Sequence, residues 1–181
     1  MLEEYLAGEE ATVTVMPPTP SSSSNSYRAL PLILRTDHIN NILPPNTTVA
    51  ITYNSHPLPS YITTHPTFDT TTYAQILRSC ERIASLLRLT APIRIDVRRH
   101  HLSSFSSSSS NPDSESENDD KFAVFDVNMK PNMTGPGRPG RDNQASLTGL
   151  AAAEVGWDYA RLLSDILASA RSLGELRGMR L

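Results

Sequence analysis

"KFAVFDVNMKPNMTGPG", residues 121–137, is an apolar run that ends in an acid, one residue, an asparagine and then a turn-rich loop. Its first eight residues carry the β-branched and aromatic content of a strand, and side chains on a strand alternate faces with a period of two. Phe122, Val124, Asp126 and Asn128 therefore fall on one face by spacing alone. A strand that reads as core but finishes in two hard oxygen donors needs a partner that explains them. The partner lies upstream, in "IRIDVRR" (93–99), where Arg94, Asp96 and Arg98 share one face and Ile93, Ile95 and Val97 the other. Pairing the two strands presents Asp96, Asp126 and Asn128 together on one sheet face, with Arg94 two residues from Asp96.

Three oxygen donors without histidine or cysteine suit a hard cation. Mg²⁺ takes one or two carboxylates, keeps several waters and leaves its other positions to phosphate oxygens. An arginine beside such a site neutralises charge that develops in a transition state, and the backbone N–H groups of the following loop suit an oxyanion. The same residues have a plainer reading. Aspartate at a strand end and asparagine before "MKPN" are also turn formers, because both side chains bond the backbone two residues on.

Between the two strands runs "HLSSFSSSSSNPDSESENDD" (101–120), Ser-rich and acidic; 102–120 is expected to be a disordered insertion in a hairpin. Upstream, "TTYAQILRSCERIASLLRLT" (71–90) is the clearest helix. Ile76, Cys80, Ile83 and Leu87 form a stripe with Leu77 and Ala84 beside it, Thr71 or Thr72 serves as N-cap, and Pro92 ends the run. "EEATVTV" (9–15), "LPLILR" (30–35) and "TTVAITYNS" (47–55) read as strands, and the Pro/Ser-rich 17–29 as loop. At the C-terminal end a short helix lies in "NQASLTGLAAAEV" (143–155). A longer one runs through "DYARLLSDILASARSLGELR" (158–177), capped by Asp158, with Tyr159, Leu163, Ile166, Leu167 and Ala170 on one stripe and Trp157 packing at its start. Strands and helices do not alternate as βαβ units, so the expected class is α+β, a mostly antiparallel sheet with helices on one side.

The chain has 181 residues, 38% of them apolar, and a net charge of −3. That balance argues neither for nucleic acid nor for an anionic membrane as partner. No run approaches the length of a membrane span, "MLEEYLAGEEATV" is acidic and lacks the apolar core of a signal peptide, and a cytoplasmic protein is the expectation. Cys80 has no second cysteine to pair with and lies on the apolar stripe of its helix, so it reads as buried and inert. Lysine is scarce: Lys121 and Lys130 are the two in the chain, against 14 arginines. His100–His101 lacks a third ligand at sensible spacing.

"RIDVRR" followed after a spacer by "FDVNMKPNMT" resembles the C-terminal part of the D-alanine–D-alanine ligase family, within the ATP-grasp superfamily. "LEEYLAGEEATVTV" resembles that family's hinge strand, and "LTGLAAAEVGWDYARLLSDILASA" its closing helices, whereas 17–72 matches poorly. The resemblance implies a single partial ATP-grasp domain over 1–181. It implies ATP and Mg²⁺ (or Mn²⁺) as cofactors, with Asp96, Asp126 and Asn128 as metal ligands and Arg94 as the catalytic oxyanion stabiliser. Glu3, Glu4, Tyr5 and Leu6 would line the adenine pocket, and Glu10 would hold the ribose. The implied reaction activates a small carboxylate as an acyl phosphate, which an amine then converts to an amide. Asp126 stands where the family has glutamate, Asn132 where it has glycine, and Gly137–Arg138 where it has Ser-Leu; Arg138 or Arg141 could hold a different carboxylate. The sequence opens at the hinge strand, so the resemblance covers half of a nucleotide clamp. Two outcomes are then open: ligation with an N-terminal lobe supplied separately or missing here, or a non-catalytic remnant that keeps the fold.

Overall fold

The computed structural model describes residues 6, 8–20, 26–35, 50–51, 55–57, 69–101, 120–137, 139–140 and 144–179. In chain order the elements are β1 (Glu10–Met16), β2 (Arg28–Ala29), β3 (Ile33–Arg35), β4 (Ala50–Ile51), β5 (Ser55–Pro57), α1 (Thr70–Leu86), β6 (Ile93–His101), β7 (Asp120–Asn128), β8 (Gln144–Ala145), α2 (Leu147–Glu154), α3 (Tyr159–Ala168) and α4 (Leu173–Gly178). The class is α+β. The main sheet has six strands in the order β5-β3-β1-β6-β7, with β2 also paired to β1; β4 and β8 form a separate pair. Every pairing is antiparallel.

β1 holds the centre, and its alternation builds both faces. Ala11, Val13 and Val15 point to one side, where they join Ile93, Ile95 and Val97 of β6, Leu32, Leu34 and the Ile76–Cys80–Ala84 stripe of α1. Burial of these aliphatic groups is the main driving force for closing α1 onto the sheet, at ~1.5–3 kcal/mol per large side chain. The helix begins at Asp69, whose carboxylate accepts from the Thr72 N–H at 2.6 Å. The cap is therefore aspartate rather than Thr71 or Thr72, because its side chain reaches the third N–H of the first turn from an extended backbone. That bond holds the Asp69 carboxyl below the usual carboxylate range. At the other end the helix stops at Leu86, and Leu87 is its exposed C-cap rather than part of the core stripe. Polar bonds lock the helix to the β2 edge: the Ala29 N–H donates to Glu81 at 2.9 Å and the Tyr27 hydroxyl donates to the Leu89 carbonyl at 2.9 Å.

The opposite face is covered too, which corrects the expectation of helices on one side. Met16, Leu30 and Ile33 pack against Leu147, Ala151 and Ala152 of α2 and Leu162 of α3. The Thr14 and Thr148 hydroxyls share a buried bond of 3.1 Å between sheet and helix. Asp158 caps α3 by accepting from the Arg161 N–H at 2.7 Å. Trp157 packs on this core, with the Arg28 guanidinium 4.3 Å from its ring centre.

The helix expected over 158–177 is two helices. The Ser169 hydroxyl folds back onto the Ile166 carbonyl at 2.7 Å. Ser172 and Glu175 then form a reciprocal capping box that starts α4 afresh. The buried side of α3 is Leu162, with Ile166 partly packed and Ser169 buried. Leu163 and Leu167 of the expected stripe lie exposed, Leu167 at 73%.

Candidate functional site

α2 covers the end of this second face where Thr14 and Ile33 lie. Toward the other end the face turns polar, and the register fixes its residues row by row. Glu10 stands between Arg35 and Arg98, and Thr12 between Ile33 and Asp96. Across the β6–β7 ladder Asp96 faces Asp126 and Arg94 faces Asn128. Directly opposed residues share a face, so the four residues singled out in the β6 and β7 sequences do come together.

The ladder also carries a correction. It is irregular between Asp96 and Val97: Asp96 pairs with Asp126, but Val97 pairs with Val124, which leaves Phe125 as an extra residue in β7. A bulge of one residue reverses the facing of everything beyond it. Phe122 and Val124 therefore do not share the face of Asp126 and Asn128. Phe122 lies with the α1-side core and packs against it, with the Arg99 guanidinium 4.9 Å from its ring. Phe125 itself is 49% exposed, with the Arg98 guanidinium 5.7 Å from its ring centre.

Asp96 is not free to act alone. Arg94 grips it with two donors, Nε to Oδ1 at 2.8 Å and Nη2 to Oδ2 at 2.7 Å. This two-point fork is the strongest form of arginine–carboxylate pair. Asp126 is exposed on the edge strand. Asn128 accepts from the Lys130 N–H at 2.9 Å through Oδ1, and Asn132 accepts from the Thr134 N–H at 3.0 Å. Two successive Asx turns thus shape the loop, which is the turn-forming reading of those asparagines. They also engage two N–H groups that the sequence offered to an oxyanion. Among the described residues Arg88 is the one non-glycine with positive φ. Asn132 therefore does not adopt the left-handed conformation that a glycine in its place would allow. Gly135 has a different reason to be glycine: a Cβ there would come within 2.9 Å of the Tyr159 ring, so the loop can seat against α3.

No group of three or more His, Cys, Asp or Glu side chains is placed to hold a metal among the described residues. The donors that remain are Asp126 and the second lone pair of the Asn128 carbonyl, with Asp96 if Arg94 lets go. One or two carboxylates plus an amide oxygen, open to water, is the donor chemistry that Mg²⁺ accepts.

The segment before β1 reaches this face through Arg98. Its Nη2 donates to Glu10 at 3.0 Å and its Nη1 donates to the Leu6 carbonyl at 3.2 Å. Both partners in the Glu10–Arg98 pair are mostly buried, with side chains 12% and 14% exposed. Arg99 binds Glu9 at 2.9 Å beside it. Gly8 presses so closely on β6 that a Cβ would collide with the Arg99 carbonyl oxygen. Glu3, Glu4, Tyr5, Arg138 and Arg141 lie outside the described residues, as do 102–119 of the Ser-rich insertion.

Two polar residues on this face escaped sequence reasoning. Arg35 is 7% exposed, and its Nε and Nη2 are buried without a hydrogen-bond partner. Thr12, diagonal to it across the β1–β3 ladder, has a buried hydroxyl without a partner as well. Burial lowers the Arg35 guanidinium from the usual arginine range; Glu10 is the strongest opposing influence, Arg94 reinforces the shift and Asp96 opposes it. Placing Arg35 here required the β1–β3 register, and a strand read as "LPLILR" carries no face assignment of its own.

The fold defined by this sheet and its helices is ATP-grasp-like. The structure superposes on D-alanine–D-alanine ligase from Bacillus anthracis complexed with ATP with a TM-score of 0.55 and 17% sequence identity, over 99% of this chain and 42% of that one. The chain thus spans about two fifths of the solved ligase it resembles. No protein-family model matches the sequence, and no curated protein matches it.

Proposed function

We propose that this chain is the ATP-binding C-terminal part of a D-alanine–D-alanine-ligase-like carboxylate–amine ligase. The observation that carries the reading is the pairing of Asp96 with Asp126 and of Arg94 with Asn128 on one polar sheet face of an ATP-grasp-like fold. In this reading Asp126 and Asn128 hold Mg²⁺ or Mn²⁺, and Asp96 joins them when Arg94 turns to the substrate. ATP with its metal supplies the phosphoryl group that activates a small carboxylate for attack by an amine. Arg94 is the catalytic residue: its guanidinium stabilises oxyanion charge where the carboxylate carbon becomes tetrahedral. Glu10 binds the ribose hydroxyls, and Glu3, Glu4, Tyr5 and Leu6 line the base. Arg98 positions Glu10 and the Leu6 carbonyl together. Ligation requires a second lobe to bring further phosphate-binding groups and exclude water.

The test is a calorimetric titration of ATP with and without Mg²⁺, on wild type and on the Asp126→Ala/Asn128→Ala double variant. Wild type is expected to bind at least ~10-fold more tightly with Mg²⁺, which is about 1.4 kcal/mol, and the double variant is expected to lose that difference. Equal Mg²⁺ dependence in the two proteins would remove the metal site. One observation favours a non-catalytic remnant: Arg94 already satisfies both oxygens of Asp96. That reading expects no Mg²⁺ dependence in wild type.

A further inference from the structure

The charged face contains groups that the proposed function does not use. Guanidinium N–H groups buried without acceptors are costly, because those donors have lost water and gained no hydrogen bond in exchange. Arg35 is in that state at Nε and Nη2, and the Thr12 hydroxyl beside it is orphaned too. Nε and one Nη of an arginine form a flat two-point fork that matches two oxygens of a phosphate or a carboxylate. The surroundings choose between these sources. The row contains Arg98 as well, with Glu10 between the two arginines, and the two lysines of the sequence lie at 121 on β7 and at 130 in the loop after it. On this part of the face, among the described residues, arginines are the cations placed to meet phosphate charge.

We propose that Arg35 and Thr12 form a phosphate-holding pair, with the Arg35 fork donating to two oxygens of a polyphosphate and the Thr12 hydroxyl donating to a third contact. The proposal rests on the ATP-binding reading above and adds a residue to it that the resemblance does not assign. Arg35 is a binding residue in this account, and the oxygens it meets belong to the nucleotide's phosphate tail.

The experiment uses the full chain and three probes, inorganic tripolyphosphate, adenosine and malonate, titrated against wild type, Arg35→Met and Arg35→Lys at matched chloride ionic strength. Thermal melting without any probe is recorded for each protein. The expected result is tripolyphosphate binding at least ~10-fold weaker in Arg35→Met, partial recovery in Arg35→Lys, and adenosine binding unchanged. Without anion, Arg35→Met is expected to melt no lower than wild type, since it removes buried donors that make no hydrogen bond. An arginine with a purely structural role would instead lower the melting temperature and leave tripolyphosphate binding alone. Equal tripolyphosphate affinity in wild type and Arg35→Met, or no binding to either, overturns the pair. Malonate binding that depends on Arg35 while tripolyphosphate binding does not also overturns it, in favour of a carboxylate site. Failure of ATP and adenosine to bind wild type defeats the nucleotide reading separately, because the tripolyphosphate arm still decides whether Arg35 holds phosphate.

Discussion

The two faces of one sheet are made by the same strands and differ in almost every physical respect. On the α1 side β1 and β6 contribute Ala11, Val13, Val15, Ile93, Ile95 and Val97, all buried and all aliphatic. On the other side the same strands contribute Glu10, Thr12, Arg94, Asp96 and Arg98, and among the described residues apolar packing closes the end under α2. Alternation with a period of two lets a strand do both at once. The first face stabilises the fold through area removed from water. The second holds several charges close together and leaves polar atoms of Arg35 and Thr12 unpaired. Folding alone does not require that arrangement, and sites that bind charged ligands do.

The comparison breaks most severely on the apolar face. Ile95 is fully buried between β1 and α1. Ile95→Ala is expected to cost about 2–5 kcal/mol, the sum of lost transfer energy and the cavity left behind. Urea unfolding with an unchanged slope and a lowered midpoint measures it. A cost below about 1 kcal/mol would mean that this face is not the stabilising one.

A smaller effect is expected on the charged face. Arg98→Met removes the partner of a mostly buried Glu10 and the donor to the Leu6 carbonyl. The loss is expected at about 1–3 kcal/mol, chiefly the cost of leaving those groups without Arg98. A double-mutant cycle with Glu10→Leu sharpens the point: a coupling energy near zero would show that the pair is incidental.

These faces were unequally legible in the sequence. Ile93, Ile95 and Val97 against Arg94, Asp96 and Arg98 needed nothing beyond period-two spacing, and the structure agrees. In β7 the same rule holds for Asp126 and Asn128 and fails for Phe122 and Val124. The Phe125 bulge is a property of the pairing with β6, and a single strand's sequence does not declare it. In α3 apolar residues fill two overlapping stripes, 162/166 and 159/163/167. Helical period cannot choose between them, whereas contact with Met16, Leu30 and Ile33 does. Arg35 was hidden for a related reason. Its importance comes from neighbours on β1 and β6, more than 20 residues away in sequence, and from what they fail to offer it.

The dryness of the apolar face can be read through Cys80, which sits on the buried stripe of α1. Burial pushes its thiol from 9.0 up to about 12, and the nearby Glu81 charge adds to the shift. The neutral thiol is the form that the folded state tolerates. In the unfolded chain it ionises near its ordinary value, so between pH 9 and 12 the folded protein binds the proton more tightly. Stability is then fully present below about pH 9 and is lost as pH rises toward the folded value. At one unit above the ordinary value the penalty relative to Cys80→Ala is about 1.4 kcal/mol. Unfolding free energies of wild type and Cys80→Ala are therefore expected to run parallel up to pH 9 and to diverge above it, with wild type falling faster. Tyrosines and arginines titrate in the same range, but they are common to both proteins and cancel in the difference. Parallel curves through pH 10.5 would mean that water reaches the thiol, and the closed face would then be less closed than its packing describes.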